Sequence, residues 1–76
     1  MSDRARTAYE EWNLADVRAR EAESRLGEAW QAYFDGAGSP PDQGLIAEVA
    51  RLRALAHERL TAAMAAINTQ RRAHAG

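Results

Sequence analysis

The segment from residue 35 to residue 41, Asp-Gly-Ala-Gly-Ser-Pro-Pro, is the strongest break in an otherwise helix-forming chain. Between residues 3 and 34 there is no proline and a single glycine, and helix-forming residues dominate on both sides of the break. Two helices of about 30 residues, each about 45–50 Å long, are therefore predicted. The short connection makes them antiparallel neighbours. The predicted fold is all-α, a two-helix antiparallel hairpin in which residues 1–76 form one domain.

The expected bounds follow from residues that favour helix ends. We predict helix 1 at about 3–35, the turn at 36–40 and helix 2 at about 41–72. Ser2 is the predicted N-cap of helix 1. Gly36 is predicted to close the same helix in the left-handed conformation that glycine adopts without steric cost.

The start of helix 2 has two interpretations. Ser39 followed by Pro40 is the pattern of an N-cap and a first helical residue, with Asp42 in the first turn. A start a few residues later, with Asp42 as the cap, is the alternative. In either case the helix is expected to fray after Arg72 into Ala-His-Ala-Gly.

Helix 1 carries an apolar seam with alternating spacings of three and four residues, which is typical of coiled coils. One heptad position of this seam is alanine throughout, and small residues at every heptad allow two helix backbones to approach closely. We predict that the seam and its flanking rings form an intermolecular interface. The predicted interface residues are Tyr9, Trp12, Ala15, Ala19, Ala22, Leu26, Trp30 and Tyr33.

Helix 2 has a broader apolar stripe than a single partner helix can cover. Leu45, Val49 and Leu52 begin a stripe with a period close to 3.6, and Ile46 and Leu55 lie beside it. Surplus apolar surface of this kind requires a second chain, because it otherwise remains an exposed patch. We therefore predict a homodimer in which two hairpins form a four-helix bundle.

The five aromatic residues all lie in helix 1, near its two ends. If two copies of helix 1 pack antiparallel about a two-fold axis near residue 21, Trp12 of one chain approaches Tyr33 or Trp30 of the other. One alternative is that the rings cover the alanine-rich face of helix 2 within the same chain. A third possibility is an exposed site for another partner.

Composition restricts the classes of function. The chain has no cysteine, which excludes disulfides and thiolate metal sites, and a domain this small usually needs another source of stability such as association. A net charge of −1 argues against nucleic-acid binding, which depends on neutralising phosphates. The negative charge is concentrated in the first half and the positive charge in the second. This asymmetry favours packing of one helix against the other or against the helix of a partner.

No motif for catalysis, for a metal or for a cofactor stands out. His57 has only Arg53, Ala54, Leu60 and Thr61 at helical ligand spacing, and none of these is a good ligand. The Glu-x-x-His motif of carboxylate-bridged metal bundles is absent from the sequence. Arg71 and Arg72 are better explained by the negative end of the helix dipole than by a nucleic-acid contact. We predict no catalytic, metal or cofactor site, no small-molecule substrate, and no enzymatic activity.

The sequence also bears on location. No stretch is apolar enough for a membrane span, and the charged N-terminal residues do not have the pattern of a signal peptide. A cytoplasmic protein without membrane contact is therefore expected.

In outline the chain is similar to small secreted helical hairpins and to type III secretion needle subunits, which are also short hairpins with a proline-containing turn. The similarity rests on the turn Ser39-Pro40-Pro41-Asp42. The Trp-x-Gly turn of the first group is absent, and adjacent prolines differ from the spaced prolines of the second. The leading hypothesis is a non-enzymatic homodimeric adaptor or small regulatory subunit. The alternative is a secreted or secretion-associated hairpin that polymerises or binds a chaperone.

Overall fold

The computed structural model describes residues 3–75, with side chains described up to residue 72, and contains two α-helices. These are α1, Asp3–Phe34, and α2, Gln43–Ala75. They pack side by side as a rod of 61 × 16 × 15 Å. The predicted all-α hairpin is confirmed. Ser2, the predicted N-cap of α1, lies outside the described residues.

Gly36 ends α1 as predicted. Its φ of 79° lies in the left-handed region, where a side chain would be strained. The Ala37 N–H donates to the Ala32 carbonyl at 2.9 Å, and the Gly36 N–H donates to the Tyr33 carbonyl at 3.0 Å. This pair of bonds is the Schellman motif, which satisfies carbonyls that the helix end would otherwise leave open. The helix ends at Phe34, one residue before the predicted bound.

Helix α2 begins later than predicted. The interpretation with Ser39 as the cap and a start near 41 is wrong. The alternative with Asp42 as the cap is confirmed, because Gln43 is the first helical residue. The Asp42 carbonyl accepts the first helical hydrogen bond, from the Ile46 N–H at 3.1 Å. The physical reason is the second proline, which disfavours helical backbone angles at Pro40. The helix also continues to Ala75, past the predicted end at 72.

The core between the helices consists of alanines. In the described part of the chain no large side chain is fully buried. Apart from Pro41 before α2, the buried apolar residues are Ala5, Ala15, Ala19, Ala22, Ala56 and Ala63. Ala15, Ala19 and Ala56 form the central cluster, with Leu52 packed against it. Because a buried alanine contributes little apolar area, this core stabilises the hairpin only modestly.

Charged side chains bridge the two helices beside this core. Arg53 of α2 contacts Asp16 at 3.0 Å and Glu23 at 2.6 Å. Arg59 lies 4.0 Å from Glu11. These pairs join acids of the first half to arginines of the second, as the charge asymmetry predicts. They also set which residues of the two antiparallel helices are level with one another.

Candidate interaction surface

Five of the predicted interface residues are buried or half-buried in the single chain. Ala19 and Ala22 have no exposed surface, and Ala15 is 7% exposed. Trp12 and Leu26 are half-buried. Ala15 and Ala19 pack against Ala56 of α2 in the same chain. A contact between these five residues and a second chain stays a prediction, and the fully covered alanines can make one only if the hairpin opens.

The other three predicted interface residues are exposed. Tyr9 is 50% exposed, Trp30 37% and Tyr33 39%. They lie at the two ends of α1, so the structure separates the predicted set into a covered middle and open ends. The open ends are the part of the set that a second molecule can reach in the folded hairpin.

Trp30, Tyr33 and Phe34 form one cluster beside the turn, which we name the aromatic tip. The Trp30 and Phe34 rings are stacked with centroids 5.6 Å apart. Tyr33 lies 6.2 Å from Trp30 and 5.7 Å from Phe34. Phe34 is 72% exposed and is not among the predicted interface residues. Its i, i+4 spacing from Trp30 is the signal that predicts this contact.

A second aromatic pair lies at the opposite end of the rod, where the helix termini meet. The rings of Tyr9 and Trp12 are 5.6 Å apart and tilted. Leu60 and Met64 of α2 are also exposed, at 37% and 53%. Apolar surface is therefore available at both ends of the hairpin.

Charge is distributed unevenly along the rod. Residues 26–50, which include the aromatic tip and the turn, contain four acids and no Arg, Lys or His. Residues 59–76, at the opposite end of α2, contain three Arg and no acid. The rod is thus acidic at the turn and basic along the last part of α2.

A shallow groove of about 550 Å³ lies between the helices at this basic end. We name it the open-end groove. Its lining is mostly small and apolar, and consists of Arg4, Ala8, Ala62, Ala65, Ala66, Thr69 and Gln70. The sequence does not predict this groove, because its shape depends on the relative path of the two helices.

Arg53 organises the electrostatics of the middle of the rod. Its Nε and Nη2 donate to the two carboxylate oxygens of Glu23 at 2.9 and 2.6 Å. Its Nη1 donates to Oδ1 of Asp16 at 3.0 Å. These hydrogen bonds lower the pKa of Glu23, and they raise the pKa of the Arg53 guanidinium. Glu23 and Arg53 thus form a salt bridge between the two helices.

His57, Thr61 and Thr69 lie on the helix surface. His57 is exposed, and its backbone carbonyl accepts a hydrogen bond from the Thr61 hydroxyl at 3.1 Å. The Thr69 hydroxyl donates to the Ala65 carbonyl at 2.9 Å in the same way. Both threonines therefore bond within their own helix.

Among residues 3–75, no three His, Cys, Asp or Glu side chains are placed to hold a metal ion. Neither helix, over its described length, is long and apolar enough to cross a membrane. No protein family, curated protein or solved structure matches this chain. The exposed aromatic tip, the open-end groove and the charge distribution are the features from which its function is argued.

Proposed function

We propose that this protein is a non-enzymatic helical interaction protein, a homodimer that acts as an adaptor or small regulatory subunit. The observation that carries the proposal is the exposure of its large apolar side chains around a core of alanines. In the proposed homodimer, the two hairpins form a four-helix bundle.

The surface area of the single hairpin supports association. The chain exposes 5744 Å², whereas a compact folded monomer of 8.4 kDa exposes about 4600 Å². The excess, roughly 1100 Å², lies in the range of about 1,000–2,500 Å² that each partner buries in obligate homodimers. A second chain is therefore a sufficient cover for the surplus.

The chemistry of that surface points in the same direction. Eight large apolar side chains among the described residues are exposed, and they include Phe34, Met64 and Leu14 at more than half of their area. Burying a side chain of this size contributes about 1.5–3 kcal/mol, which the isolated hairpin does not obtain. Association supplies it, and this is how a small chain without disulfides reaches adequate stability.

The proposal includes a cytoplasmic location. A cysteine-free chain is compatible with a reducing compartment. Fractionation of native host cells tests this point independently of the oligomeric state.

The experiment for the homodimer is thermal unfolding followed by circular dichroism over a hundredfold range of protein concentration. A folded dimer that unfolds to monomers has a midpoint that rises with concentration, because mass action favours the associated state. A midpoint independent of concentration, with full helix content, contradicts the homodimer. Assemblies that grow without limit support the alternative, a hairpin that polymerises.

A further inference from the structure

We infer that the two hairpins pair antiparallel about a two-fold axis at the middle of α1, so that the aromatic tip of each chain docks against the open-end groove of the other. This inference rests on the homodimer proposed above and specifies its register. The occupant of the groove is thus a second copy of this chain.

The positions of the two features along the rod support this register. Helix α1 runs from Asp3 to Phe34, so an axis at its midpoint makes Trp30 level with residue 7 of the other chain. Tyr33 becomes level with Arg4, which lines the groove. Because a two-fold interface is isologous, the second tip meets the second groove in the same way.

Ala8 and Ala29, the end members of an alanine repeat in α1, are placed symmetrically about the same centre, whereas Ala15 and Ala22 between them are buried within the hairpin. Ala8, Ala15, Ala22 and Ala29 repeat every seven residues, and their midpoint coincides with that of the helix. In this register Ala8 of one chain is level with Ala29 of the other. Both are half-buried rather than covered, so they remain reachable in the folded hairpin. Their small side chains allow the partner helix to come close at each end.

The charge distribution favours the antiparallel arrangement over a parallel one. Antiparallel pairing sets the four acids of residues 26–50 against the three arginines of residues 59–76. Parallel pairing sets the two acidic tips against one another, and like charges placed together are costly at an interface. Arg4 in the groove also provides a cation for the aromatic rings, whose faces attract guanidinium groups.

The test uses a matched pair of substitutions in the groove. Ala62 lines the groove and is exposed, so Ala62→Glu and Ala62→Arg preserve the hairpin while adding opposite charges. Ala62→Glu is expected to raise the dimer dissociation constant about tenfold relative to Ala62→Arg, because it faces the acidic tip. The control is the same pair at Ala54, which is exposed and outside the groove. Circular dichroism confirms helix content in each variant.

Reversal of the tip charges completes the test. Glu28→Arg with Asp35→Arg, added to Ala62→Glu, is expected to lower the dissociation constant relative to Ala62→Glu alone, because the new cations face the new carboxylate. If Ala62→Glu dimerises as tightly as Ala54→Glu, the register is overturned while the homodimer stands. A monomeric wild type overturns the homodimer itself. If that monomer binds a basic helical peptide, the aromatic tip is a binding site for another protein. Masses above a dimer overturn the closed two-fold pairing.

Crosslinking provides a geometric readout. The chain has no cysteine, so Ala8→Cys and Ala29→Cys can be introduced into separate, differently tagged chains. Oxidation of the mixture is expected to give the mixed 8–29 disulfide as the main product. Predominant 29–29 self-pairing indicates tips lying together and overturns the antiparallel register.

Discussion

Nη1 of Arg53 in α2 donates a 3.0 Å hydrogen bond to Oδ1 of Asp16 in α1, across the middle of the hairpin. Asp16 is the one buried charged residue in the described part of the chain, and it also receives Nε of Arg20 at 3.0 Å. An alanine core offers few distinct side-chain shapes with which to specify alignment. The Arg53 hydrogen bonds to Asp16 and Glu23 therefore define the register of the two helices.

Replacement of Arg53 is expected to destabilise the hairpin. Arg53→Met keeps most of the apolar stem but leaves Asp16 with Arg20 alone, so the midpoint of thermal unfolding falls. Arg51→Met, on the exposed surface of the same helix, is the control and is expected to lower the midpoint of thermal unfolding far less. Equal midpoints for the two variants in thermal scans contradict this role for Arg53.

Stability is expected to depend on pH through Glu23. Arg53 lowers the pKa of this carboxyl below its ordinary value of 4.5 in the folded chain. The contribution of ionised Glu23 to the free energy of unfolding is therefore complete above pH 4.5. It is lost as the pH falls from 4.5 through the lowered pKa of the folded chain. Glu23→Gln removes this part of the acid dependence. Urea unfolding between pH 3 and pH 6 measures it, with Glu21→Gln as the control, and parallel curves for wild type and Glu23→Gln contradict it.

The alanine core is expected to reject larger side chains. Ala19 is fully buried at the centre of the helix contact, so Ala19→Leu forces the helices apart and costs about 1–3 kcal/mol. Ala54→Leu adds the same atoms on an exposed face and is expected to be nearly neutral. Chemical denaturation of both variants measures the difference. An Ala19→Leu variant as stable as the wild type shows that the helices do not meet closely at this position.

The turn depends on one of its two glycines more than on the other. Gly36→Ala places a side chain at a φ of 79° and is expected to cost about 1–2 kcal/mol. At Gly38 the backbone is not in the left-handed region, and an added Cβ meets nothing within 4 Å. Gly38→Ala is therefore expected to be neutral or slightly stabilising. Equal free energies of unfolding for the two variants contradict the capping role of Gly36.

Much of this fold is predictable from local sequence signals. The Gly36 cap and the break before Gln43 follow from backbone preferences that act over a few residues. The sequence leaves two starts open for α2, because Ser39 and Asp42 are both good caps. Pro41 disfavours helical backbone angles at Pro40, and this decides in favour of Asp42.

The candidate surface is less predictable, for a physical reason. The seam through Ala15 and Ala22 has the same spacing whether it packs on α2 or on another chain, so periodicity alone does not assign its partner. The Arg53 contact with Asp16 depends on helix register, which charge totals do not contain. The open-end groove depends on the relative path of both helices. The location of the aromatic rings near the two ends of α1, by contrast, follows directly from their positions in the sequence.

In the proposed homodimer, one hairpin is half of the functional molecule. Sedimentation equilibrium of the wild-type chain at several concentrations in the micromolar range tests it most directly. We expect a mass of twice the 8.4 kDa chain, giving way to monomer on dilution. A stably folded species that keeps the single-chain mass throughout that range contradicts it.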